Sequence, residues 1–141
     1  MSGAATILIL AAFGQVILTM WAIVTMGLAR VACVRRGEVK IAQVALSDRD
    51  WPEPIQKLQA NTRNQFETPV LFFAAVAIAL ATGGASWLAA LAALCYLASR
   101  VAHRVIHVGS NSVVPRFYAF VAGLVALGIL WIAALVGALF S

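Results

Sequence analysis

Few polar side chains interrupt this chain, and their spacing is what could support chemistry. Asn61, Asn64 and Thr68 recur at i, i+3 and i+7, which puts them on one helical face with Glu67 adjacent. Further on, Arg100, His103 and His107 repeat that spacing with Arg104 beside them, and the last apolar segment opens with Arg116 and Tyr118. Guanidinium groups and other donors around one carboxylate resemble a receptor for a small, multiply charged anion, because arginine forks bind carboxylates bidentately. Plainer roles compete with that one. An arginine at a helix end is most often an anchor reaching the headgroups, and Arg35, Arg36 and Arg104 taken singly fit that role. Glu67 with Arg100 could be a purely structural pair, and the histidines could simply sit at the interface. His103 and His107 at i, i+4 could bind zinc with Glu67, but no further histidine exists and arginines nearby repel a cation, so no metal is expected. No Ser-His-Asp spacing is present.

These residues need elements to position them, and composition supplies the class. Of 141 residues 63% are apolar and 11% charged, with a mean hydropathy of +0.96, against roughly half and a quarter in soluble domains. One membrane domain over residues 1–141 is expected, and an ordinary cytosolic enzyme, a disulfide scaffold and a disordered tail are excluded. Residues 1–29, 68–99 and 117–141 carry no charge, and all 10 Lys and Arg fall in 30–63 and 100–116. A nucleic-acid surface spreads its cations over a solvated face, so no nucleic acid is expected; the pattern is positive-inside instead. Cys33 and Cys95 have no CxxC spacing and read as reduced. No basic stretch precedes the first apolar run, which reads as a retained span rather than a signal peptide.

A membrane helix needs about 20 apolar residues. The sequence predicts four, over about 4–29, 55–82, 86–107 and 115–140, with cytoplasmic connectors at 31–54 and 108–114. Thr82-Gly83-Gly84-Ala85-Ser86 divides the middle run into 68–82 and 87–99. Those pieces cover only about 20–23 Å of a core of roughly 30 Å. The two helices must therefore continue through Glu67 and Arg100, which places Asn64, Glu67, Arg100 and His103 at or just inside one membrane face. Ionisable groups at that depth are expensive and functional by default. Thr68-Pro69 is expected to bend the second span. A chain this short encloses no large polar cavity alone, so a sizeable site would lie between subunits.

Arg63-Asn64-Gln65-Phe66-Glu67-Thr68-Pro69, then Arg100-Val101-Ala102-His103, then Arg116 opening the last span, resemble the MAPEG family, the membrane-associated proteins in eicosanoid and glutathione metabolism. Length, four spans and a long first connector agree, so the resemblance covers nearly the whole chain. It implies an all-α integral membrane protein, a four-helix bundle assembled as a homotrimer, with glutathione as cofactor between subunits near the cytoplasmic face. It further implies that Arg63, Asn64 and Glu67 contact glutathione from the second span and His103 and His107 from the third. Arg116 would stabilise the thiolate, Arg30 would match a further family arginine, and Arg100 would pair with Glu67.

The implied activity is a glutathione-dependent transferase or peroxidase acting on a lipophilic electrophile or lipid hydroperoxide. The alternative is a non-catalytic scaffold or a subunit binding anionic membrane lipids. Ala60 stands where the family often has arginine, His107 where the eicosanoid enzymes have tyrosine, and Phe120 rather than Tyr118 at the usual last-span tyrosine. Asn64–Pro69 followed by Val70-Leu71-Phe72-Phe73, with Asn111 ahead of Arg116, is most similar to the bacterial branch, which implies a multi-pass protein of the bacterial inner membrane.

Overall fold

A computed structural model describes residues 1–140. Six helices follow one another: α1 (Gly3–Arg35), α2 (Ile41–Val44), α3 (Glu53–Asn64), α4 (Thr68–Ala81), α5 (Trp87–Val108) and α6 (Val113–Phe140). Among the described residues there is no strand. Four segments are long and apolar enough to cross a membrane: α1, α3 with α4, α5 and α6. The protein is an all-α integral membrane protein, and its apolar outer surface, including Leu10, Phe13, Ile17, Leu91 and Ile132, faces lipid.

Ser2 starts α1 by accepting the Ala5 amide at 3.2 Å. The helix runs past Ala29 to Arg35, because Val31, Ala32, Cys33 and Val34 contain neither Gly nor Pro to stop it. Its 33 residues reach about 50 Å, so the last turns stand beyond a core of roughly 30 Å. Gly37 ends it with a φ of 71°, where an L side chain would be strained. The Gly37 amide bonds Val34 O and the Glu38 amide bonds Cys33 O, a Schellman closure.

The connector that follows is folded against the bundle. Cys33, Val44, Trp51 and Ile55 form a small second core. Gln56 Nε2 donates to the carbonyls of Arg49 (3.0 Å) and Trp51 (2.7 Å), tying the loop to α3. Arg36 Nε and Cys33 Sγ both donate to the Glu38 carboxylate and hold it below the usual carboxylate range.

The bend expected at Thr68-Pro69 is a full interruption. Gln65, Phe66 and Glu67 leave the helix, and Pro69 then sits in the first turn of α4, where its missing amide costs no bond. Gln65 turns inward, 2% exposed, and accepts from Gln15 Nε2 of α1 at 3.0 Å.

The main core is made largely of alanine: Ala75 and Ala79 of α4, Ala89 and Ala93 of α5, and Ala134 of α6 are buried around Leu8, Phe72, Tyr96 and Leu130. Small residues let helices approach closely where lipid supplies no hydrophobic drive. Phe72 stacks on Tyr96 at 4.5 Å, and the Tyr96 hydroxyl meets Thr68 Oγ1 at 3.0 Å. At the opposite end from the connectors, the α4–α5 turn presses Gly84 onto Gly137 of α6 so closely that a Cβ on Gly137 would overlap Gly84. Helix α5 packs along α6 and against α1, so residues on its connector-side half meet both neighbours.

Candidate functional site

The connector end of the bundle opens into a cleft of about 590 Å³ between α3, α5 and the start of α6. Asn64 lines one wall, and His103, His107 and Arg116 line the other. Successive turns of α5 place the histidine rings edge to face, 5.5 Å apart, with Phe120 5.9 Å from His103. His103 Nδ1 donates to the Arg116 carbonyl at 3.2 Å, which keeps its proton on Nδ1. His103 Nε2 and His107 Nδ1 are buried with no protein partner among the described residues. Unpaired buried nitrogens are costly in a native fold, so on a cleft wall they are candidates for contact with a polar ligand.

Arg116 comes from the first turn of α6 and is half-buried. Its guanidinium donates to Asn111 Oδ1. Asn111 takes a left-handed backbone, φ 52°, and its amide bonds Ile106 O at 2.7 Å. Asparagine tolerates that conformation better than most side chains. The α5–α6 turn thus fixes an amide oxygen where it holds the guanidinium at the cleft.

The other residues singled out by spacing lie elsewhere. Arg100, 2% exposed, donates to the Asn64 carbonyl at 2.8 Å. No ion pair joins it to Glu67 within the chain among the described residues. The interruption between α3 and α4 explains this: it turns Glu67 to the exposed surface and leaves Arg100 a helix-terminal carbonyl instead. Arg30 donates to Gln59 Oε1 at 2.5 Å and lies 4.9 Å over Trp51. Arg30 and Arg63 both pair with Asp48, so they clamp the connector rather than line the cleft.

Asn61, Asn64 and Thr68 do not share a face. Asn61 is buried against Arg104, Asn64 borders the cleft, and Thr68 reaches Tyr96. Nor does Arg104 act as a headgroup anchor. At 3% exposure it turns into the bundle, donating to Asn61 Oδ1 and, at 2.8 Å, to Thr25 Oγ1, with the Trp21 ring 4.3 Å away. A guanidinium in an apolar layer must be enclosed by acceptors, and the two helices facing α5 supply them.

The cleft also contains Glu53, Gln56 and Lys57 of α3 and Phe117 of α6, which the spacing argument passed over. The signal was present: Glu53, Gln56, Lys57, Ala60 and Asn64 form one helical stripe at i, i+3, i+4, i+7 and i+11. Asn111 and Phe120 entered the sequence argument only through the family pattern, and both border the cleft.

No metal-binding group of His, Cys, Asp and Glu forms among the described residues. What the cleft can do is hold an anionic ligand with a guanidinium poised at one point and two imidazoles beside it.

No curated protein matches the chain. The pattern of the MAPEG family matches residues 8–136, nearly the full length of the bundle. The chain belongs to the MAPEG family, membrane proteins of glutathione-related or eicosanoid metabolism.

Proposed function

We propose that this protein is a membrane-bound, glutathione-dependent transferase or peroxidase acting on lipophilic electrophiles or lipid hydroperoxides. The observation that carries it is Arg116: a guanidinium fixed by Asn111 at a cleft shared with His103, His107 and Asn64.

The residues present fit the ligand. The cleft falls within the roughly 300–1,000 Å³ of small-molecule sites. It offers cationic donors, amide groups and one carboxylate to a tripeptide with two carboxylates and an ammonium. When bound, glutathione supplies a thiol, the nucleophile that no cysteine of this chain provides; Cys33 is buried in the second core and Cys95 faces outward. Arg116 stabilises the anionic form of such a thiol, and each unit of pKa lowering raises the thiolate fraction about tenfold at neutral pH. Asn111 holds Arg116 in place, so that little reorganisation is needed when charge develops. His103 and His107 present buried nitrogens on the adjoining wall, where they hold a ligand proton or polar group. Phe117 and Phe120 give an apolar approach for a substrate arriving from the lipid.

The assembly is a homotrimer in this reading, with a neighbouring subunit closing the open side of the cleft. Glu67 and Arg63, exposed on the single chain, become available to that neighbour. Both charged connectors lie at the cleft end, and the positive-inside rule supports, in this reading, a cleft on the cytoplasmic side of a bacterial inner membrane.

Titration calorimetry of the detergent-solubilised protein tests the reading. Saturable glutathione binding at or below millimolar concentration is expected, together with turnover of a small aromatic electrophile. Absent binding, with ordered anionic phospholipid in the cleft, would establish the lipid-binding subunit instead.

A further inference from the structure

Inside the bundle α1 meets the second span through a series of polar contacts. Arg30 donates to Gln59, Thr62 Oγ1 donates to the Ala22 carbonyl at 3.2 Å, and Gln15 Nε2 donates to Gln65 Oε1 at 3.0 Å. The last of these lies farthest from the connectors. Gln15 stands about 18 Å along α1 from Gly3, within a hydrocarbon core of roughly 30 Å, and is completely buried. Its nitrogen also donates to Thr19 Oγ1 at 3.2 Å. Gln15 Oε1 and Gln65 Nε2 are left over: both are buried with no protein partner among the described residues. A half-satisfied amide pair in an apolar layer is less favourable than two apolar side chains of similar shape. Folding stability therefore does not account for the pair.

Its place in the chain does. Gln65 opens the break between α3 and α4, and of the three residues there it alone is buried; Phe66 and Glu67 are exposed. Pro69 removes one helical bond, the one to the Gln65 carbonyl, which by itself produces a kink rather than a three-residue break. The break is held from two sides. Arg100 of α5 donates to the Asn64 carbonyl at 2.8 Å, and Gln15 of α1 holds the side chain of the next residue. Between those two holds Asn64 borders the cleft, its Nδ2 donating to the Ala60 carbonyl at 3.1 Å.

We infer that Gln15 is a positioning residue: through Gln65 it sets the break in the second span and so holds Asn64 at the cleft. This rests on the proposed glutathione chemistry, in which Asn64 is a ligand contact. Gln15 itself touches no ligand. Hydrogen bonds suit the task because they are directional, so they fix the angle at which the chain leaves α3, where an apolar contact would let the two helices slide.

Replacing both amides, Gln15→Leu with Gln65→Leu, removes the pair without leaving either side chain alone. The thermal midpoint of the full-length protein in detergent should equal or exceed that of wild type. Glutathione affinity by calorimetry should nevertheless fall about fivefold, the scale of one neutral hydrogen bond. Turnover at saturating glutathione should stay within about twofold, since Arg116 is untouched and only binding is lost. Gln15→Met, which has nearly the same shape, should show the same split at a lowered midpoint, because Gln65 is then buried unpaired. In an Asn64→Ala background the double leucine replacement should cost no further affinity, as its effect passes through Asn64. A crystal structure of the ligand-free double variant should show the break altered and Asn64 moved from the cleft wall.

Wild-type affinity in the double variant, an affinity loss that adds in full to that of Asn64→Ala, or an unmoved break in the variant structure overturns the inference and leaves the proposed function standing. Failure of the wild type to bind glutathione overturns the proposed function, and the ligand-free structure then decides whether Gln15 sets the break.

Discussion

Arg104 and Arg116 each donate to the side-chain oxygen of an asparagine, Asn61 and Asn111, but their surroundings differ. Arg104 is enclosed: Thr25 accepts its second nitrogen, Trp21 covers its plane, and 3% of the residue is exposed. Arg116 has the same amide partner and an open side, which faces a cleft of about 590 Å³. An enclosed guanidinium spends its donors on the fold, where it ties α5 to α1 and α3. One held at a cleft keeps donors for a ligand. Substitutions at the two sites should therefore separate stability from chemistry.

The largest effect is expected at Arg104. Replacing it with Ala leaves Asn61 and Thr25 without their donor and opens a cavity under Trp21, a loss of about 3 kcal/mol or more. A lowered thermal midpoint in detergent, with no selective loss of glutathione binding in the protein that remains folded, is the expected result. A midpoint equal to that of wild type would show that Arg104 is an ordinary interfacial anchor.

Arg116→Ala should reverse the pattern. Stability should change by no more than about 0.5 kcal/mol, since the side chain is half-buried and unpaired with acid. Turnover should fall by about 100-fold, the scale of removing one donor from a developing anion. Rates measured at saturating glutathione decide it.

Asn111→Ala lies between the two. It forces an ordinary side chain into a left-handed backbone, a cost of about 1 kcal/mol, and releases the guanidinium. Both a modest drop in thermal midpoint and a rate loss smaller than that of Arg116→Ala should follow. Asn111→Gly should recover the stability and not the rate, because glycine accepts the backbone and offers no oxygen.

The smallest effect belongs to Glu38, in the connector. Its carboxyl is held below the ordinary range by Arg36 and then Cys33, so any stability it adds is present above the ordinary carboxylate pKa and fades as pH falls through the lowered value. Glu38→Gln should differ slightly from wild type in thermal midpoint near neutrality and converge with it in acid.

The difference between Arg104 and Arg116 was not legible in the sequence. Apolar runs bounded by charged connectors, and one uncharged Gly-Gly turn, were enough to indicate four membrane-capable helices, because a lone segment in lipid satisfies its backbone only as a helix. The depth argument correctly brought His103 and Asn64 to one end of the bundle. The direction of a long side chain does not follow from its spacing: Arg104 and Arg100 could reach headgroups or turn inward, and burial by α1 and α3 decides it. The pairing of Glu67 with Arg100 came from the family resemblance, as a contact at the subunit interface; within the single chain the interruption at Gln65–Glu67 leaves Glu67 exposed. Glu53 was read as the end of a connector and Lys57 passed unremarked in the second span, since Pro52 and Pro54 draw attention to the turn rather than to the helical stripe that begins there.

The central claim is that Arg116 stabilises a bound thiolate. Its most direct measurement is the thiolate absorbance band at neutral pH in detergent-solubilised protein saturated with glutathione. The wild type should show the band, and Arg116→Ala should lose it while binding glutathione within about threefold of wild type. A band of equal strength in the two proteins, at equal occupancy, would contradict the claim.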